Sequence, residues 1–168
     1  MDAILVRPLP GHQALYEAMM DEWEAHGGRL NPGALRRWSY RLGRAVSYAE
    51  WLGWMDDDRA NGQELFFYIA GGQLLGAISL RFGNNPSIAS DGHIGYGIRP
   101  SARRQGHAAR MLSLALPLAK AKGIDPAVIT CAENNIASVK VIERCGGALV
   151  GYQHGNGKRE RVYHVPTA

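Results

Sequence analysis

The alternation of apolar and polar positions divides the chain into short β-type runs and longer helical stretches. Ile4 to Pro8 predicts a first strand, closed by Pro8 and Pro10. From Gly11 to His26, Leu15, Met19 and Trp23 recur at helical spacing and Gly27-Gly28 follows, which predicts a first helix. Asn31 suits a cap before Pro32, and Leu35, Trp38, Leu42, Ala45, Ala49 and Leu52 then mark one apolar face of a second helix. Asp56-Asp57-Asp58 follows as a solvated loop; with no histidine or spaced ligand nearby, it predicts no metal site. Glu64 to Ala70 and Gln73 to Phe82 are β-type runs joined by Gly71-Gly72, so they predict an antiparallel hairpin. Gly83 to Asp91 reads as a surface loop, a plausible wall of a substrate site.

The middle of the chain carries the strongest local pattern. His93 to Ile98 is a β-type run with little bulk at Gly95 and Gly97, stopped by Arg99-Pro100. Ser101 to Gly106 is a basic polar connector, and from His107 the residues Ala108, Met111, Leu112, Ala115, Leu118 and Ala119 predict a helix ending at Gly123, kinked at Pro117. A strand that runs into a helix through a glycine turn leaves the first N–H groups of that helix unpartnered at the positive end of its dipole. Such a turn favours a phosphate or pyrophosphate, and Arg103 and Arg104 add charge at its rim. Ala127 to Ala132 predicts the next strand, Asn135 to Cys145 a helix closed by Gly146-Gly147, and Ala148 to Gln153 with Arg161 to Val165 a final strand pair across His154 to Lys158. The order β, α, α, β, β, β, α, β, α, β, β predicts a mixed sheet flanked by helices.

Composition narrows the class. A chain of 168 residues can bury roughly 70% of its extended surface, so a single domain over residues 1–168 is expected. Hydrophobic content of 46% with 20% charged residues argues against disorder. The net charge of +4 suits a polyanionic small ligand, and with no Lys/Arg block nucleic acid is not expected. Cys131 and Cys145 are the only cysteines, and nothing near Asp2 to Arg7 resembles a secretory signal, so a reducing cytoplasm is expected. The longest apolar stretch, Leu112 to Ala119, is far below the roughly 20 residues of a membrane span.

Arg103-Arg104-Gln105-Gly106-His107-Ala108 resembles the Gln/Arg-x-x-Gly-x-Gly/Ala signature of the GNAT superfamily of N-acetyltransferases. Asn135-Ile136-Ala137-Ser138, with Val141-Ile142-Glu143 and Cys145-Gly146-Gly147, resembles that family's Asn-x-x-Ser/Ala helix. The resemblance implies an α/β (α+β) fold: a mostly antiparallel sheet of six to seven strands, about four helices and a splayed central strand pair. It also implies acetyl-CoA as cofactor. Backbone groups of Tyr96, Gly97 and Ile98 would meet the pantetheine arm, and Arg103, Arg104, Gln105, Gly106, His107, Ala108 and Ala109 the pyrophosphate. Asn135 and Ser138 would approach from the second helix, although Asn135 also suits a plain N-cap.

Transfer to an amine needs a base and a proton donor for the departing thiolate. The family's usual tyrosine acid falls at Ile142, which cannot donate. Tyr152, Cys145, Tyr163 and Tyr96 are the substitutes, and His93 is the candidate base, with Asp91 and Glu64 behind it; strand alternation favours a structural His93 over a catalytic one. The expected function is acetyl transfer from acetyl-CoA to a primary amine of a small molecule or peptide. The alternative is a catalytically weak or inactive CoA-binding regulatory module. A homodimer stays open.

Overall fold

The computed structural model describes residues 2–155 and 157–168. In chain order the elements are β1 (Ala3–Val6), α1 (Gln13–His26), β2 (Trp38–Ser39), β3 (Arg44–Ala45), α2 (Tyr48–Ala60), β4 (Gln63–Ala70), β5 (Gln73–Arg81), α3 (Ile88–Asp91), β6 (Ile94–Ile98), α4 (His107–Ala121), β7 (Ala127–Ala132), α5 (Ile136–Arg144), β8 (Ala148–Gly155) and β9 (Lys158–Val165). One antiparallel sheet runs β1-β4-β5-β6 and a second runs β7-β9-β8. Together they are the expected seven strands, split between β6 and β7. Position 156, inside the predicted connector His154 to Lys158, lies outside the described residues.

Alternation along the first sheet builds two cores. Phe66, Tyr68, Ile78, Leu80, Ile94 and Ile98 face one side and pack with Met111, Leu112 and Ala115 of α4 and Val139 and Ile142 of α5. Leu65, Phe67, Leu74 and Ala77 face the other side and pack with Tyr16, Met19 and Trp23 of α1 and Trp51 of α2. Trp51 lies nearly parallel to Phe67, with ring centroids 5.7 Å apart.

The second helix departs from expectation. Residues 33–35 form one 3-10 turn and Trp38–Ala45 a small hairpin; the helix begins only at Tyr48. Ser47 and Glu50 supply the reason. Ser47 Oγ accepts from the Glu50 N–H at 3.1 Å, and the Glu50 carboxylate accepts from the Ser47 N–H at 2.7 Å. That reciprocal cap fixes the start of α2. Trp38 and Leu42 are accordingly exposed rather than part of a buried stripe. Asp56 to Asp58 belong to the last turns of α2, not to a loop. In the segment 83–91, α3 adds one helical turn. Among the described residues no helix is long and apolar enough to cross a membrane.

Candidate active site

The two sheets touch at one point. The His93 N–H donates to the Val128 carbonyl at 2.7 Å and Gly92 bridges Ile129. Beyond it the strands separate, and a cleft of about 1130 Å³ opens between Ile94–Ile98 and Thr130–Ala132. The Arg81 N–H bonds the His93 carbonyl and the Arg99 N–H bonds the Leu75 carbonyl. Odd-numbered residues of β6 therefore face β5, and by alternation the backbone of Ile94, Tyr96 and Ile98 faces the gap. An unpaired strand edge inside a fold offers main-chain donors and acceptors to an extended ligand. The Ile98 carbonyl already accepts from Arg103 Nε at 3.0 Å.

The cleft passes from one side of the sheets to the other. On the α4/α5 side it meets the turn before α4, where Arg104 (φ 61°) and Gly106 (φ 83°) are both left-handed. Successive backbone N–H groups in such a turn form an anion-binding concavity. Helix α4 has no side-chain cap, whereas α2 and α5 are capped by Ser47 and Asn135. Its first N–H groups are left for a ligand. Arg103, Arg104, Lys140 and Arg144 line the cleft; the carboxylates that line it, Asp91 and Glu160, belong to other elements.

The turn is anchored to α1 through Glu22. Its carboxylate accepts from the Ser101 N–H at 2.9 Å and hydroxyl at 2.7 Å, and pairs with Arg99 at 2.9 Å. Burial pushes the Glu22 carboxyl up, but these donors outweigh it and hold its pKa at about 2. Arg103 stacks over Trp23, and the Tyr68 hydroxyl meets His107 Nδ1 at 3.0 Å, fixing the first turn of α4.

On the opposite side, Gly95 and Gly97 share a face with Arg81, Ser79 and Ala77 of β5. Gly97 has no alternative residue here, because a Cβ would lie 2.0 Å from the Asn31 carbonyl oxygen. Glu160 on β9 is paired with Ala132 and shares the face of Thr130 and Ala132, opposite to Ile129 and Cys131 in the α4/α5 core. Arg29, Asn31, Arg81, Asp91, Lys158 and Glu160 line this half.

The structure brings Tyr96, Gly97, Ile98, Arg103, Arg104, Gly106, His107, Ala108, Ala109, Asn135 and Ser138 to the cleft. It does not bring Gln105 there; its amide donates to the Ser101 carbonyl at 3.2 Å and closes the turn. Asn135 Oδ1 accepts from the Ser138 N–H at 3.2 Å, so it caps α5 as well as lining the cleft. The Tyr96 and Ser138 hydroxyls meet at 2.7 Å.

The three catalytic candidates lie elsewhere. His93 Nδ1 accepts from the Val128 N–H at 2.8 Å at the sheet junction. Cys145 sits in an adjoining recess of about 480 Å³ beside Gly106 and Arg144, its thiol donating to the Ala109 carbonyl, and burial pushes that thiol up. Tyr152 is 44% exposed on β8, with Arg159 over its ring at 3.9 Å. Ile142, the position of the missing tyrosine, is fully buried in the core. Glu64 pairs with Arg7 and Lys122 on β4, outside the cleft lining. Sequence reasoning missed Arg81, Lys140, Arg144 and Glu160. Lys140 and Arg144, four apart on α5, carried a helical-face signal; Arg81 and Glu160 carried none.

A split strand pair, a main-chain edge facing the gap and a basic, uncapped helix start suit an extended ligand that carries a phosphate group. The chain belongs to the GNAT acetyltransferase family: the family profile described as Acetyltransferase (GNAT) domain matches residues 4–148. Several solved structures share the fold. RimJ of Mycobacterium smegmatis, in complex with CoA-disulfide, has a TM-score of 0.71 at 15% identity over 98% of this chain and 81% of its own. An acetyl transferase of Salmonella typhimurium that modifies the N-terminal serine of ribosomal protein L7/L12 has a TM-score of 0.67 at 18% identity, covering 98% and 94%. The microcin C7 self-immunity acetyltransferase MccE, in complex with acetyl-CoA and AMP, has a TM-score of 0.66 at 16% identity, covering 98% and 92%. No curated protein matches the chain. The enzyme is an acetyl-CoA-dependent N-acetyltransferase.

Proposed function

We propose that the enzyme acetylates a primary amine of a small molecule or peptide, with the cofactor on the α4/α5 side of the cleft and the acceptor on the α1 side. The observation that carries this reading is the gap between β6 and β7 opening onto the uncapped start of α4. The N–H groups from Arg104 to Ala109 receive the diphosphate, the Arg103 N–H being taken by the Pro100 carbonyl at 3.3 Å, and Arg103, Arg104, Lys140 and Arg144 supply the charge. The backbone of Tyr96 to Ile98 guides the thiol arm, with Asn135 and Ser138 beside it.

Bound acetyl-CoA supplies an activated acyl carbon and a thiol leaving group. The residues around it move the protons. The Tyr96 hydroxyl lines the cleft and carries a proton to give. Joined to Ser138, it replaces the tyrosine absent at Ile142 as donor to the leaving sulfur. On the acceptor side Glu160, the buried one of the two lining carboxylates, receives the incoming ammonium, which releases one proton to solvent to become the amine that attacks the acyl carbon. Likeness to the Salmonella protein supports a peptide amine among the candidates, and two free cysteines support a reducing cytoplasm.

Calorimetry with CoA, ATP and NAD, together with thiol release from acetyl-CoA over a panel of amines, tests the proposal. CoA is expected to bind in preference to both nucleotides and at least one amine to be turned over. Preference for ATP or NAD overturns the site; CoA binding with no turnover on any amine favours a regulatory module.

A further inference from the structure

The acceptor half of the cleft holds two opposite charges, neither of which is in an ion pair with another described side chain. Arg81, the last residue of β5, is half-buried. Its Nη1 donates only to the main-chain carbonyls of Asp91 at 3.4 Å and Gly92 at 3.3 Å. No carboxylate among the described residues is within ion-pair distance of it. Burial is the larger influence on this guanidinium and lowers its pKa, against a weaker pull from Asp91. A desolvated cation held only by carbonyl dipoles gains from an anion brought to it.

Glu160 is the mirror case. It is only 9% exposed, accepts from Gln153 Nε2 at 3.1 Å, and has no cation within ion-pair distance among the described residues. A carboxylate this buried is expected to have a cationic partner.

The two groups belong to one wall. Gln153 Nε2 also donates to the Ser90 carbonyl at 2.7 Å, so α3 and its following residue are held by Arg81 from one strand and, through Gln153, beside Glu160 from the other. Both side chains share the face on which Gly95 presents no side chain; a Cβ there would lie 3.5 Å from Arg81 Nη2 and 3.8 Å from Asn31 Oδ1. That bare patch is the floor beside the guanidinium. Trp23, 3% exposed, also lines the cleft, and its indole N–H has no acceptor.

We infer that the acceptor is an amine that also carries an anionic group, a carboxylate or a phosphate, with Arg81 receiving the anion and Glu160 the ammonium. This rests on the transferase reading above. An α-amino acid or an aminoalkyl phosphate has the required chemistry; a plain alkylamine leaves Arg81 unsatisfied.

The test is kcat/KM, by thiol release, for matched pairs with the full-length enzyme: α-amino acids against their carboxamides, and phosphoethanolamine against ethanolamine. The wild type is expected to prefer one anionic member at least tenfold, and the pair showing it tells carboxylate from phosphate. Arg81→Gln is expected to bring that preference to within twofold, read as the ratio of the paired amines on the same variant; Arg81→Lys is expected to retain part of it. Neutral amines used as well as anionic ones by the wild type, a preference that survives Arg81→Gln, or CoA binding with no member of the panel turned over would each overturn the inference. The wild-type comparison decides even if the variants do not fold. Failure to bind CoA sinks the transferase reading instead, so the two failures are distinguishable.

Discussion

The hydroxyl oxygens of Tyr96 on β6 and Ser138 on α5 lie 2.7 Å apart, across the cleft that parts the two sheets. One comes from the strand edge proposed to guide the thiol arm and the other from the first turn of the helix capped by Asn135. If this pair protonates the leaving sulfur, Ser138→Ala and Tyr96→Phe should each lower kcat, by about 10²-fold for a general acid. CoA affinity should stay within threefold. Steady-state thiol release with calorimetry on each variant reads both quantities; an unchanged kcat in both variants removes the pair from the chemistry.

Gly106 separates backbone conformation from charge. Nothing lies within 4 Å of an added Cβ, yet its φ of +83° is left-handed. Gly106→Ala therefore carries only the left-handed penalty, about 1 to 2 kcal/mol, and is expected to keep most CoA affinity. Gly106→Asp sets a negative charge in the anion turn and is expected to weaken CoA at least tenfold without unfolding the protein. Equal affinity of Gly106→Asp and wild type would count directly against the turn as the diphosphate site.

At Gly97 the constraint is space. A methyl there meets the Asn31 carbonyl at 2.0 Å and the Trp23 ring at 3.0 Å, and neither is the free end of a flexible chain. Overpacking of this kind costs about 1 to 3 kcal/mol, which for a chain of this size corresponds to about 3 to 10 °C in Tm. Gly97→Ala should lose that much and also displace the Asn31 segment, raising KM for the acceptor more than for acetyl-CoA. A Tm equal to wild type would mean the Asn31 segment yields freely.

What the sequence made legible was what is local. The Gly71-Gly72 hairpin, the strand–turn–helix from Ile94 to Ala121 and the Asn135 helix start each need only neighbouring residues, and all three form as expected. Over residues 33–47 the helical expectation fails because Leu35, Trp38 and Leu42 fall by chance at helical spacing, while the stronger signal, Ser47-x-x-Glu50, sits just beyond. Arg81 and Glu160 could not be found this way. They lie at the end of β5 and within β9, and only the pairing of β6 with β5 and of β7 with β9 sets them on one face. Tyr152 and Cys145, the sequence candidates to stand in for the tyrosine missing at Ile142, lie outside the cleft, whereas the paired hydroxyls of Tyr96 and Ser138 line it.

His93 gives a prediction about stability rather than rate. Its Nδ1 accepts the Val128 N–H where the sheets meet, which requires a neutral ring. Burial first, then the charges of Arg81 and His164, push its pKa below the ordinary 6.5. Because the folded pKa is the lower one, the unfolded chain takes up the proton more readily. The contribution is complete above about pH 6.5 and is lost as pH falls from there toward the folded value. His93→Asn, which offers Oδ1 to the same N–H and cannot titrate, should therefore match wild type near pH 7.5 and lose less stability between pH 7 and pH 5, as read by thermal melts across that range. Activity of the variant at pH 7.5 should remain within about threefold, because His93 Nδ1 is taken by the Val128 N–H and His93 is outside the cleft lining. A variant with an unaltered melting profile but kcat/KM lowered a hundredfold would reverse the assignment and make His93 the base.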